Sequence, residues 1–220
     1  MKRYLSKFEL SYEFVRKCIY DCLNGTATRT ARWKRRDTAI FISEYVIKFQ
    51  RENGYFVEDL RSVSKKVHYI AVNDVSVLYP IVDYISYEMY LEIKSRNIQL
   101  HKIKYDERYD PLAKKSRKIG ISSMKQQCYD YVAVNACKEM FLAKIGHYQC
   151  ASLKNKGQLF GKQAIETWIR TNPKKCKYVF KADVHHYYQS IPHNKLKDFL
   201  TRDLKNNDVL YLLFALIDTY

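Results

Sequence analysis

Apolar residues recur at steps of three and four through much of the chain. Leu5, Phe8, Tyr12, Val15, Ile19 and Leu23 fall on one face, which predicts an amphipathic helix over 5–23 ended by Asn24-Gly25. Ile40, Phe41, Tyr45, Ile47 and Phe49 predict a second over 37–52, closed by Asn53-Gly54. From Leu60 the pattern changes: Val63, Val67, Ile70, Val72, Val75 and Val77 predict extended structure before Pro80, and 81–93 predicts a tyrosine-rich helix. Charged and apolar residues mix over Lys115–Ile121 as in a half-exposed strand, and 124–145 predicts a long helix ending at Gly146. A helix over 162–171 then leads through Asn172-Pro173 to a short apolar strand, Tyr178, Val179, Phe180, Ala182 and Val184, which carries Asp183. Pro192 marks a turn, and Leu196, Phe199 and Leu200 pack a further helix. Helices mixed with a few strands predict an α+β fold with a helix-rich N-terminal region.

Composition narrows the function. At 220 residues, 47% hydrophobic, with 20 Tyr but only 6 Gly and 4 Pro, the chain can bury a core and is not a disordered or linker-rich sequence. A formal net charge of +16 repels itself unless a polyanion neutralises part of it, so nucleic acid is the expected partner. The 6 cysteines are scattered, with no Cys-x-x-Cys pair for zinc, and Cys18 and Cys22 share one helical face, as core packing requires. The first residues lack the apolar core of a signal peptide and no run approaches membrane-spanning length, so reduced thiols, a cytoplasmic location and no membrane partner are expected.

Two features carry candidate chemistry. Arg29, Arg32, Lys34, Arg35 and Arg36 surround Trp33, a mixture that suits a phosphate backbone beside an unstacked base and equally suits a solvated helix face. The second is Asp183. A carboxylate on a partly buried strand is disfavoured in its charged form, and it persists where a metal, a cation or a set of donors compensates it.

The stretch from Lys177 to Leu200 resembles motif A of reverse transcriptases: an apolar strand, Asp183, the aromatic pair Tyr187-Tyr188, Ser190-Ile191 and a turn into a helix. Lys115–Ile121 resembles a fingers strand of that family. Ser152 to Lys156-Gly157, followed by Gly161 and Ala164, resembles the Ser-x-x-x-Lys-Gly and Gly-x-x-Ala segments of the bacterial retron, diversity-generating and group II intron-like enzymes. It is not a Walker loop, because Gly161-Lys162 is followed by Gln163 and Lys156 stands where the first glycine belongs.

The resemblance implies the fingers and partial palm of a right-hand polymerase over 101–220, preceded by a basic, mainly helical extension over 1–100. It implies an RNA-directed DNA polymerase using RNA template, DNA primer and deoxynucleoside triphosphates, with Mg2+ held by Asp183 and the Val184 carbonyl. Arg117 and Lys118 would meet the triphosphate or template, though a basic hairpin edge blunted against aggregation accounts for them as well. Tyr188 would pack under the nucleotide sugar, Tyr187 would face the palm core, and Lys125 falls where the family's next helix opens. Arg32, Arg35, Arg36, Lys125, Lys154, Lys156 and Lys162 are the expected nucleic-acid contacts. His185 and His186 are not expected to chelate one ion, since strand neighbours point to opposite faces. The sequence departs from the family in having no Tyr-x-Asp-Asp hairpin and no thumb, so a fragment, a split gene or a degraded copy is expected, with a second chain completing the palm. The alternative is a non-catalytic nucleic-acid-binding protein derived from such an enzyme.

Overall fold

Ser11 decides where the first helix begins. In the computed structural model, which describes residues 3–25, 31–112, 114–150, 153, 155–184 and 187–220, the Phe14 N–H donates to Ser11 Oγ at 3.2 Å and α1 runs Tyr12–Asn24. Capping one of the open N–H groups there ends the helical pattern expected from Leu5. The preceding residues are extended: the Tyr4 N–H donates to the Asp203 carbonyl (2.8 Å) and the Lys205 N–H to the Tyr4 carbonyl (3.0 Å), a parallel bridge beside Leu204. The face of α1 predicted as apolar is the buried one, holding Val15, Cys18, Ile19, Cys22 and Leu23.

Helix α2, Arg36–Glu52, buries Phe41, Ile42 and Tyr45. The stretch predicted as extended is helical instead: α3 covers Leu60–Asn73, opened by Asp59, whose Oδ1 accepts from the Ser62 N–H at 3.0 Å. Its buried residues, Val63, Val67 and Ala71, are four apart, so helical spacing against α2 outweighs the strand preference of valine. A short 3-10 turn, Val75–Leu78, passes into α4, Tyr79–Lys94, with Pro80 in the first turn, where a missing N–H leaves no bond unmade.

Strands β1 (Lys104–Asp110) and β2 (Lys115–Ile121) pair antiparallel as a two-stranded ribbon, with Lys104 opposite Ile121 and Asp110 opposite Lys115. Helix α5 runs Met124–Ala136, capped by Ser123, and the predicted long helix breaks at Cys137 before α6, Lys138–Lys144. Helix α7 is Gln158–Thr171, α8 is Tyr187–Ser190, α9 is His193–Asp203 and α10 is Asn207–Ile217.

The chain divides into two compact units, 1–137 with 193–220, and 138–192. In the first, α1 packs on α4 and α5, and α10 packs on the same pair, so Leu212, Val209, Val132, Ile85 and Ile19 have no solvent exposure. Two polar contacts tie distant parts of the unit together: Gln126 Nε2 donates to Thr219 Oγ1 at 2.9 Å, and Asn206 Nδ2 to the Phe8 carbonyl at 2.7 Å, whereas Gln50 Oε1 and His68 Nδ1 are buried without a partner among the described residues. Asp208 ties α10 to Lys94 at 2.8 Å. The second unit is thinly packed: α7 buries none of its residues. The strand predicted around Asp183 is not one. Residues 177–184 carry no regular secondary structure, and Tyr178, Val179 and Phe180 are 93%, 86% and 92% exposed. A strand needs a ladder partner for its backbone groups, and among the described residues the only sheet is β1–β2. The architecture is α+β.

Candidate nucleic-acid interface and metal site

The basic cluster after α1 is partly turned inward. Trp33 is 5% exposed, with its indole N–H donating to Asn24 Oδ1 at 2.7 Å and its ring against Tyr20 and Tyr79. It is a core anchor and no stacking platform. Arg32 donates to the Cys22 carbonyl and to Tyr131 Oη (3.2 Å), lies 5.2 Å from the Tyr131 ring centroid, and approaches Cys22 Sγ at 3.5 Å. A hydrogen bond from the Cys128 thiol, helped by the Arg32 charge, holds the Cys22 thiol below its usual range against the opposing push of burial. Arg35 is committed to Asp37, with Nε at 2.9 Å. Arg36 and Lys34 are exposed, with no ion pair among the described residues.

The ribbon sorts its two expected nucleotide contacts to opposite faces. Arg117 stands opposite Arg108 and Lys118 opposite Glu107, and neighbours on a strand alternate sides. Arg117 is drawn to Asp110 at 3.0 Å, while Arg108 turns to Asp106 at 3.2 Å, which offsets the repulsion of the facing arginines. Lys118 is exposed and free of any ion pair among the described residues, so on its face it is the cation available to a phosphate.

Lys125 lines a cleft of about 620 Å3 with Phe41, Glu44, Tyr45, Glu92 and Met124. Its ammonium sits 2.7 Å from Glu92, which also accepts from Tyr129 Oη at 2.7 Å. Desolvation, then the nearby Glu92 charge, raises the Tyr129 hydroxyl above its ordinary value, so it stays a donor. Burial likewise raises Glu44, partly offset by Lys125 and His101. Glu92 and Tyr129 were not legible as a group, because they lie 37 positions apart and are brought together by the packing of α4 and α5 on the shared helices α1, α2 and α10.

In the second unit, Lys156 donates to the His147 carbonyl and lies 5.6 Å from the Phe160 ring centroid, and Lys162 is 3.5 Å from Glu166. Lys154, His185 and His186 lie outside the described residues, as does the side chain of Tyr188 in α8. Tyr187 is 55% exposed. Asp183 is exposed, its Oδ1 accepting the Val184 N–H at 3.0 Å, so burial does not act on it as the strand reading expected. Lys174, Lys175, Lys177 and Lys181 precede it in sequence, all exposed.

Mg2+ takes six oxygens in near-octahedral array. Asp183 and the Val184 carbonyl offer a beginning, and no group of three or more acidic, histidine or cysteine side chains able to hold a metal occurs among the described residues. These residues do not build a magnesium site by themselves. No helix among them is long and apolar enough to cross a membrane. No family model and no curated protein matches the chain.

Proposed function

We propose that this chain is the N-terminal part of an RNA-directed DNA polymerase, carrying its fingers and first palm segment. Within these 220 residues its work is to hold nucleic acid. The reading rests on one observation above others: the motif A-like segment lies in an exposed run of lysines, Lys174, Lys175, Lys177 and Lys181, whose charge only Asp183 opposes locally. With Arg36 and Lys118 these are exposed cations without ion pairs among the described residues, and they suit an RNA template or DNA primer backbone. Polymerisation in this reading needs carboxylates that the described residues do not bring to Asp183.

A second reading, a nucleic-acid-binding protein without catalysis, is favoured by Asp183 standing alone as an exposed carboxylate. One experiment separates the two. Binding to a primed RNA template is measured against salt, and deoxynucleotide incorporation is assayed with Mg2+, for the wild-type chain and Asp183→Ala. Both proteins are expected to bind, with log affinity falling linearly with log salt. Incorporation that Asp183→Ala abolishes establishes the polymerase, and binding without incorporation supports the second reading. Affinity that ignores salt, or no binding at low salt, overturns both.

A further inference from the structure

Two parts of the molecule are each an unfinished sheet. Strands β1 and β2 form a ribbon exposed on both faces, and the outer edge of β1 has no partner among the described residues. A lone ribbon is marginal in water and is stabilised by a third strand, for which an open edge is a template. Residues 177–184 are the converse: apolar side chains at strand-like spacing, held in no sheet and open to water.

We propose that residues 177–183 of one copy add antiparallel to β1 of a second copy, with Lys177 opposite Asp110 and Asp183 opposite Lys104. Two copies exchange strands reciprocally, which closes a two-fold dimer.

The register argues for this occupant. Seven residues meet the seven of β1, and three opposite-charge pairs line up at once: Lys177 with Asp110, Lys181 with Asp106, and Asp183 with Lys104. All three fall on one face, that of Lys104, Asp106 and Asp110. Asp106 already accepts from Arg108 (3.2 Å), and Asp110 from Arg117 (3.0 Å) and the Leu112 N–H (3.0 Å); a carboxylate offers about four lone-pair sites, so the register adds a donor to carboxylates that are already engaged. On the other face Tyr178 meets Tyr109, Phe180 meets Glu107 and Ala182 meets Tyr105, so the exposed aromatic rings acquire cross-strand neighbours.

The competing arrangements are repulsive. Full parallel overlap on β1 sets Lys177 against Lys104, Lys181 against Arg108 and Asp183 against Asp110, all like charges. The edge of β2 carries Lys115, Arg117 and Lys118 and no carboxylate, so it offers Lys177 and Lys181 nothing. The inference uses exposure, register and charge alone and does not rest on the polymerase reading. In the dimer, Asp183 is engaged by Lys104.

The test is sedimentation of the full chain over about 1–100 µM. The wild type is expected to dimerise. Asp106→Lys and Lys181→Glu each place like charges across both sheets of the dimer and should weaken it about tenfold or more. Mixing the two variants in equal amounts should restore the dimer, because in the mixed pair each sheet again sets Lys against Asp or Glu. The double variant D106K/K181E should dimerise with itself, which keeps the test decisive if one single variant folds poorly. A wild type that stays monomeric across the range overturns the proposal. So does a mixture no more dimeric than its components, which would place the strand within its own chain or on another partner.

Discussion

Asp130 on α5 has its carboxyl pushed up from 3.8 to about 6, with burial as the cause. The folded chain favours its protonated form, whereas the unfolded chain ionises near the ordinary value. Stability linked to this group is therefore fully present below about pH 4 and is lost as pH rises through about 6. Asp130→Asn removes the titration. The variant should be more stable than wild type by on the order of 1–2 kcal/mol at pH 8 and nearly equal to it at pH 4, as read by urea denaturation at the two pH values. A gain of the same size at both would show that ionisation is not the cause. The same scale explains why Trp33 was misread. Its neighbours in sequence are cations, but its ring partners Tyr20 and Tyr79 come from α1 and α4. Local composition carries no trace of contacts between such distant positions, and Arg32 is hidden for the same reason, its partners being Cys22 and Tyr131.

Elements were legible where one face of a helix is buried and its spacing is unambiguous, as in α1, α2 and α4. They were misread where residue type and spacing disagree. In α3 the valines suggested a strand, while the steps from Val63 to Val67 to Ala71 belong to a helix. Around Asp183 the apolar alternation is real, yet a strand also needs a ladder partner: Lys115–Ile121 finds one in β1, and residues 177–184 have none among the described residues. Hydrogen exchange tests the consequence. At concentrations below dimer formation, the amides of 178–184 should exchange within about tenfold of an unstructured peptide, while those of α5 are protected. Protection of 178–184 in the dilute monomer would mean that these residues already have a ladder partner. The candidate site was legible only in its residue types. The alternation that sends Arg117 and Lys118 to opposite faces follows from the strand itself, whereas the engagement of Lys125 by Glu92 depends on how helices pack.

Across the whole molecule, the last 28 residues return to the first unit, so its core is built from both ends of the chain. Tyr4 bridges to Leu204, Phe8 accepts from Asn206, and Ile103 donates its N–H to the Thr219 carbonyl at 3.1 Å. Contacts so distant in sequence make folding of this unit an event in which α10 must be seated before α1, α4 and α5 are fully covered. Leu212 lies at the centre of that closure with no exposure, whereas Ile165 of α7, in the other unit, is 52% exposed. Leu212→Ala should therefore cost about 2–5 kcal/mol, from lost burial and the cavity left behind, and Ile165→Ala within about 0.5 kcal/mol. Thermal melts followed by circular dichroism measure both. If α10 is integral to the core, Leu212→Ala lowers the transition of α1, α4 and α5 together, detectable in a Trp168→Phe background as fluorescence of Trp33 moving in step with helix loss. A Trp33 signal that keeps its wild-type midpoint while helix content falls would show α10 to be an appendage, and the first unit would then be complete without residues 193–220.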